Sequence, residues 1–454
     1  MSYVYVTPGY GLYCRPGCGP NNATEERHPV AASAEAAGLR PCLECRPYRL
    51  PQSAPQTAPE LVCRGVRLIV DGALDQKTEA GLAGRLGLSG RHLRRLFVRH
   101  IGVTPDELAR SSRAHFARRL LDDTDLSITE VAFTSGYGSA RQFNREFRRA
   151  FGCTPSEVRL RRLPTRLADD DRLTLRLWFT GPLDWDAMIR FLAARAVPGV
   201  EHVDGRTYRR TIAVNGGAGL IELSPGGPDY LNLRARLPRW EALMHVAAQA
   251  RKIACLDADL AEPVRSLAAD RLLAPLIESR PGVRVPGAWD AFEAGIAAII
   301  GQWLHAEAAS AVLALIVCRL GHPAPAFAAS HLTHVFPAPA TLAQSGPSLL
   351  AAGLTSDQAQ SVVSFAAAND QGTLRLDGSM TREQLAESLQ AVPGVTASTA
   401  DYIALRAGEP DAFPAEDPAL RQALGQLKAE PSRPLARDWR PWRSYAAAHL
   451  WAAA

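Results

Sequence analysis

Val392-Pro-Gly-Val-Thr-Ala-Ser-Thr-Ala400 is bracketed by apolar residues at helical spacing, Leu385 and Leu389 before it and Ile403 and Leu405 after it. A Pro-Gly step between two helices makes a tight hairpin, and the backbone amides of such a turn can hold a phosphate at a helix N-terminus. Alone, Pro-Gly-x-x is a weak signal that most often marks a plain turn. Its neighbours strengthen it. Phe413-Pro-Ala-Glu-Asp417 follows shortly, and Pro441-Trp-Arg-Ser-Tyr-Ala-Ala-Ala-His-Leu-Trp451 lies further on. From about Pro286 onward the pattern is nearly all helical and rich in Ala and Leu.

Upstream the texture changes. Leu173-Thr-Leu-Arg-Leu-Trp-Phe179 alternates, as do residues 208–214, and Ile221-Glu-Leu223 and Leu231-Asn-Leu-Arg-Ala235 continue the strand-like segments. A small α/β lobe ahead of a helical lobe is the simplest reading. Residues 60–162 are helical again, with Leu93, Leu96, Phe97 and Ile101 three or four apart. Phe97-Val-Arg-His-Ile-Gly-Val-Thr-Pro105 recurs fifty residues later as Phe147-Arg-Arg-Ala-Phe-Gly-Cys-Thr-Pro155. Each copy reads as helix, glycine turn, second helix (82–97 and 131–147), the later turn being one residue longer. Such units project the second helix into the major groove. Arg91, Arg94 and Arg95 in the first unit, with Arg141, Gln142, Asn144 and Arg145 in the second, are candidate groove or phosphate contacts. The bland alternative is solvated helix surface.

At 454 residues the chain predicts three or four domains. A hydrophobic content of 47% with 21% charged residues excludes a disordered chain. No apolar run approaches the ~20 residues of a membrane span, and no signal peptide is read at the N-terminus, so a cytoplasmic chain with no membrane partner is expected. Lys and Arg outnumber Asp and Glu by 19 to 12 over 60–162 and by 5 to 4 over 1–59, but trail by 27 to 30 over 163–454. The basic middle suggests phosphate contact. Cys14, Cys18, Cys42 and Cys45 crowd the first 45 residues as two thiolate pairs, enough to close a tetrahedral zinc shell. Spacing alone favours a purely structural zinc knuckle. Cys63, Cys153, Cys255 and Cys318 are scattered and are expected to be buried thiols. Pro51-Gln-Ser-Ala-Pro-Gln-Thr-Ala-Pro59 reads as a linker.

Three resemblances add to these readings. Tyr13-Cys-Arg-Pro-Gly-Cys18 and Ala37-Gly-Leu-Arg-Pro-Cys-Leu-Glu-Cys-Arg-Pro47 resemble the zinc-binding N-terminal domain of the Ada family. That resemblance implies that a zinc thiolate, Cys14 by its place in the motif, accepts a methyl group from a DNA methylphosphotriester. Only thirteen residues precede Cys14, fewer than the family usually has, and the Pro-Cys-His-Arg signature of a second methyltransferase is not found. The paired helix-turn-helix units, each ending in Gly-x-Thr-Pro, resemble the AraC-type DNA-binding domain. The hairpin, Asp417 and the Trp-rich last segment resemble helix-hairpin-helix DNA glycosylases of the AlkA type. Phe191-Leu-Ala-Ala-Arg-Ala-Val197, Arg280-Pro-Gly-Val-Arg-Val-Pro-Gly287, Asp290-Ala-Phe-Glu293 and Ile300-Gly-Gln302 extend that likeness over about 165–454.

The glycosylase resemblance assigns roles. Asp417 stands at the catalytic carboxylate, with Glu416 its nearest competitor. Trp303 takes the place of the wedge inserted when a nucleotide is flipped. Phe191, Tyr402 and Trp451 match aromatic pocket positions, although aromatics at such spacing are more often core. Pro393, Gly394, Val395 and Thr396 form the DNA-holding hairpin. Three departures stand out. Thr396 replaces the usual second glycine, which is expected to tighten or distort the turn; Ser398 replaces a pocket tryptophan, and Pro418 a tyrosine. Strand-cleaving relatives carry a lysine at the Ser398 position, so its absence implies a monofunctional hydrolase. Nor is there a four-cysteine run for an iron–sulfur cluster.

The expectation is therefore a multidomain chain: a small zinc-binding α/β domain over 1–52, an all-α double helix-turn-helix domain over 53–163, an α+β lobe over 164–280 and an all-α helix-hairpin-helix glycosylase domain over 281–454. Zn2+ is expected in the first domain and no cofactor for the glycosylase reaction. The expected partners are double-stranded DNA with alkylated bases, promoter DNA and RNA polymerase, approached by a monomer. A DNA-binding regulator whose glycosylase fold is inactive remains the alternative.

Overall fold

The structure, a computed structural model, describes residues 4–7, 10–18, 26–55, 57–75, 78–161, 172–427 and 435–454. The expected boundary at 163–164 lies outside the described residues. Contacts divide the chain into two compact units, Met1–Trp178 with Arg239–Ala248, and Phe179–Pro238 with Gln249–Ala454.

The first unit opens with four short strands, β1 Val4–Thr7, β2 Leu12–Cys14, β3 Arg27–His28 and β4 Arg40–Pro41, in the order β3-β1-β2-β4, and helix α1 Ala31–Ala36. Strands β2 and β4 run parallel with Tyr13 opposite Pro41, so Cys14 and Cys42 emerge side by side. Seven helices follow: α2 Glu60–Val70, α3 Glu79–Arg85, α4 Gly90–Ile101, α5 Pro105–Asp123, α6 Ile128–Thr134, α7 Ala140–Phe151 and α8 Pro155–Leu160. A strand, β5 Leu173–Trp178, completes the unit before its later segment.

The repeat has a physical basis. Gly102 and Gly152 adopt left-handed backbone (φ 81° and 67°) that ends α4 and α7. Thr104 and Thr154 then cap α5 and α8 in capping boxes with Glu107 and Glu157, and Pro105 and Pro155 fill the first helical position. Gly-x-Thr-Pro is thus a stop-and-start signal. Leu93, Phe97 and Ile101 in one copy and Phe143, Phe147 and Phe151 in the other are the buried stripes. The turn before α7 (135–139) is one residue longer than that before α4 (86–89).

In the second unit, helix α9 Trp185–Ala194 precedes an antiparallel meander of β6 Glu201–Asp204, β7 Thr207–Val214, β8 Gly217–Pro225 and β9 Tyr230–Arg236. Helix α10 Leu243–Ile253 begins in the first unit's later segment and ends in the second, where α11 Ala261–Leu267, α12 Ala274–Ser279, α13 Ala291–Gly301 and α14 Ala306–Leu320 come next. The all-helical expectation beyond Pro286 is interrupted once, by a two-residue ladder of β10 His322–Pro323 and β11 His334–Val335. Then follow α15 Pro339–Ala343, α16 Gly346–Ala351, α17 Ser356–Asp370, α18 Arg382–Gln390, α19 Ala397–Arg406, α20 Pro418–Gln426, α21 Leu435–Asp438 and α22 Arg443–Ala453. Ile296, Ile299 and Ile300 of α13 meet Phe365, Leu389, Ile403, Leu420 and Leu450 in one continuous core.

Two expectations fail. None of the four scattered cysteines is buried: Cys63, Cys153 and Cys255 are half-buried and Cys318 is exposed. Cys318 follows Ile316 and Val317, which take the inward positions of α14, so helical periodicity turns it outward. The segment 51–59 is not a free linker at its start. Gln52 is buried, accepting from Ala32 N (2.9 Å) and donating to Ser111 Oγ (2.9 Å).

Candidate functional sites

The four sulfurs of Cys14, Cys18, Cys42 and Cys45 lie within 4.8 Å of one another. A tetrahedral zinc at ~2.3 Å from each sulfur needs S···S edges of about 3.8 Å, so this donor set fits zinc. Burial, with the neighbouring thiols, pushes Cys14 up to about 11. Burial also opposes ionisation of Cys42, but the Cys45 and Glu44 amides outweigh it and hold that thiol below its ordinary value. A divalent cation supplies the charge that would keep all four deprotonated. Thr7 Oγ1 lies 3.2 Å from Cys14 Sγ, and the Arg15 amide donates to Cys45 Sγ at 3.3 Å. Tyr13, next to Cys14, donates to Glu35 Oε1 (2.7 Å), where His115 Nε2 of α5 also binds (2.6 Å); Ser111 Oγ donates to Glu35 Oε2 (2.6 Å). This buried cluster fastens the cysteine module to the long helix of the same unit.

On α4 and α7, Arg91, Arg95, Arg141 and Arg145 are exposed. Ser89 and Ser139 cap the two helices through His92 N and Gln142 N. Not every candidate is free: Arg95 Nη2 lies 3.3 Å from His92 Nδ1, and Arg145 Nη2 lies 3.9 Å from Glu146 Oε1. Arg94 is held by Glu79 (2.9 Å), Gln142 donates to Glu146 (3.2 Å), and Asn144 bonds back to Ala140 O (2.8 Å). Sequence reasoning passed over Arg99, Arg148 and Arg149, which are exposed on the same helices; the fifty-residue register, which pairs Arg99 with Arg149, could have found those two.

Asp417 caps α20. Its Oδ1 accepts from Ala419 N (3.0 Å), Leu420 N (3.1 Å) and Trp451 Nε1 (2.9 Å), while Oδ2 has Arg195 Nη2 at 3.6 Å. Phe191 lies 5.0 Å and Tyr402 6.2 Å from Trp451 between ring centroids, so the structure brings Asp417, Phe191, Tyr402 and Trp451 together. Phe191 is already covered, with the Arg195 guanidinium 4.0 Å and that of Arg406 5.2 Å from its ring. Trp451 orients the carboxylate as much as it offers a ring face. Glu416 points its side chain to solvent, and its amide donates to Ser398 Oγ (3.0 Å).

Trp303 sits elsewhere, at the hairpin. A Cβ built on Gly394 would lie 3.5 Å from Trp303 Cζ2 and 2.2 Å from Ser361 Oγ, at a φ of +77° that favours glycine. Gln302 clamps the turn by donating to Gly394 O (2.7 Å) and accepting from Thr399 Oγ1 (2.7 Å) and Thr396 N (3.3 Å). Thr396 does not distort the turn. It is the N-cap of α19 in ordinary extended backbone (φ −75°), its hydroxyl accepting from Thr399 N (3.2 Å). Sequence reasoning missed the Gln302 clamp and Arg195, though Ile300-Gly-Gln302 and Phe191–Val197 contain them.

These elements define a class: a cysteine-cluster module and a double helix-turn-helix joined to a helix-hairpin-helix glycosylase fold. Residues 2–48 match the metal binding domain of Ada, 82–161 a helix-turn-helix domain and 174–290 the AlkA N-terminal domain. The chain belongs to the family of the bifunctional transcriptional activator/DNA repair enzyme AlkA. It is 36% identical over 461 residues, 99% of this chain and 92% of the relative, to the Mycobacterium tuberculosis protein named "Probable bifunctional transcriptional activator/DNA repair enzyme AlkA". It is also 34% identical to DNA-3-methyladenine glycosylase 2 of Escherichia coli over 60% of this chain and 94% of that one. The solved 3-methyladenine DNA-glycosylase from Archaeoglobus fulgidus shares the fold, with a TM-score of 0.52 at 21% identity over 61% of this chain and 96% of that chain.

Proposed function

We propose that the chain is an alkylation-damage DNA repair and response protein. Its second unit acts as a monofunctional DNA glycosylase that hydrolyses the N-glycosidic bond of alkylated bases such as 3-methyladenine. Its first unit joins a zinc-thiolate methyl acceptor to promoter recognition. The observation that carries the reading is Asp417, whose Oδ1 is locked by three donors while Oδ2, among the described residues, accepts no hydrogen bond. An ionised carboxylate held this way stabilises an oxocarbenium-like sugar and takes a proton from the attacking water. A cationic alkylated base departs neutral, so its leaving needs no acid.

Supporting parts follow. Trp451 and Tyr402 present aromatic faces to an extruded base; Trp303 and the hairpin of Pro393, Gly394, Val395 and Thr396 engage the duplex it leaves. Ser398 offers no amine for a Schiff base. In the first unit Cys14, Cys18, Cys42 and Cys45 would hold zinc. Cys14 Sγ would attack the methyl carbon of a methylphosphotriester, the C–O bond breaking with its electron pair on the departing phosphodiester. Arg91, Arg95, Arg141 and Arg145 would meet DNA, with Arg94, Gln142 and Asn144 as nearer-neighbour supports. Promoter binding would set the chain, as a monomer in the cytoplasm, beside RNA polymerase. Domain limits of 1–52, 53–163, 164–280 and 281–454 belong to the same reading. Among the described residues no helix is long and apolar enough to cross a membrane.

One observation favours a second reading, a DNA-binding regulator with a silent glycosylase fold: the Arg195 cation lies against the proposed catalytic carboxylate. Release of free 3-methyladenine from alkylated duplex DNA by the purified protein decides. No release refutes the glycosylase.

A further inference from the structure

We infer that Arg195 is a specificity-determining residue of the base pocket, one that extends excision to uncharged damaged purines. This rests on the glycosylase reading of the second unit. Arg195 closes α9 and its guanidinium carbon lies 4.0 Å from the Phe191 ring centroid and 5.4 Å from that of Trp451. Nη2 is 3.6 Å from Asp417 Oδ2, and the side chain keeps 27% of its exposure. Among the described residues it donates no side-chain hydrogen bond. The second arginine beside Phe191 is different: Arg406 is committed to Tyr402 Oη (2.8 Å) and Gly287 O (2.9 Å). Arg195 is therefore the one of the two with donors to spare for a ligand.

A cation in this position is puzzling for a hydrolase of cationic bases. It repels such a base and offsets the carboxylate that must stabilise a cationic sugar. It helps when the base is neutral. Then the C1′–N9 bond breaks with its electron pair remaining on N9, and the base departs as an anion. Water bonds to C1′ through its oxygen, and its proton passes through Asp417 to the base, giving a sugar hydroxyl and a neutral free purine. A guanidinium beside the departing ring stabilises the transient anion, as donors in an oxyanion hole do. The Asp417–Arg195 pair divides the work, with the carboxylate on the sugar and the guanidinium on the base.

The test compares full-length protein with Arg195→Met, which keeps an apolar stem over Phe191, and Arg195→Lys. Single-turnover release is followed on duplexes holding one hypoxanthine, an uncharged base, or one 7-methylguanine, a cationic one. In Arg195→Met, hypoxanthine release should fall about tenfold or more, since loss of one such donor costs on the order of 10²–10³ in a closed site and this one is partly exposed. Release of 7-methylguanine should rise severalfold, and Arg195→Lys should recover part of the hypoxanthine rate. Equal losses on both duplexes, or no loss on hypoxanthine, overturn the inference and leave the glycosylase reading standing. A wild-type protein that releases neither base overturns both.

Discussion

Replacing Asp417 by asparagine should slow release of an alkylated base by about 10²–10³-fold with the fold intact. Asparagine keeps an oxygen at Oδ1, so the bonds from Ala419 N, Leu420 N and Trp451 Nε1, at 2.9–3.1 Å, survive. Asn and Asp are equivalent N-caps, so α20 loses nothing there. What goes is the charge. A unit charge ~4 Å from a developing sugar cation at an effective dielectric near 20 is worth about 4 kcal/mol. Arg195 at 3.6 Å from Oδ2 offsets some of it. The remainder agrees with the loss of about 2.7–4 kcal/mol typical of one preorganised electrostatic group. Loss of this long, partly exposed ion pair costs about 1 kcal/mol, so melting should move by no more than about 3 °C. The assay is single-turnover release from a duplex with one 7-methylguanine, with DNA affinity by anisotropy and melting by calorimetry as controls. Glu416→Gln, altering a solvent-facing neighbour, should keep its rate. A dead Glu416→Gln with a live Asp417→Asn shifts the assignment by one residue. Two live variants refute the hydrolytic role of this carboxylate pair.

The cysteine module should carry one zinc per chain by metal analysis of reduced protein, and peptide mass spectrometry after exposure to methylphosphotriester DNA should find the methyl on Cys14; a methyl on another cysteine moves the acceptor. Arg91→Ala and Arg141→Ala should each weaken DNA binding and reduce the salt slope by about one for each phosphate left without its cation. Arg94→Ala should do less, because Glu79 already holds that guanidinium; an equal effect would contradict the proposed division. His449 is buried and desolvation lowers it to about 4. Its folded value lies below the unfolded ~6.5, so its contribution is full above pH ~6.5 and is lost as pH falls toward 4, up to about 3 kcal/mol. Unfolding titrations of His449→Gln should be flatter over that window; an unchanged slope refutes it.

What the sequence discloses follows the range of the interaction. Caps, stop signals and helical stripes act over a few residues, so the Gly-x-Thr-Pro repeats and the hairpin between Leu389 and Ile403 are readable directly. The cysteine pairs are readable because metal spacing is local within each pair, whereas the β2–β4 ladder and the Arg15–Cys45 bonds that join them are not. Contacts spanning hundreds of residues leave no local trace. Nothing near Arg195 announces Asp417, 222 positions away, nor does Glu35 announce His115. Gln52 has the look of linker composition because its partners lie in α1 and α5. The scattered cysteines mislead because average burial of a residue type does not fix the face of a helix on which it falls.

The three departures from the glycosylase pattern bear on whether the second unit is active, and each has a local structural reason. Thr396 caps α19, a task a glycine there would do less well. Ser398 accepts from the Glu416 amide, steadying the turn that delivers Asp417. Pro418 fills the first position of α20, where no N–H is needed, so the donors to Oδ1 come from the next two residues and from Trp451. None of the three removes Asp417 or the donors that hold its Oδ1. Against the carboxylate itself stands Arg195, which would silence Asp417 if it stayed there and would serve it if it turned toward a departing base. Base identity separates those outcomes, since only an uncharged base gains from the guanidinium.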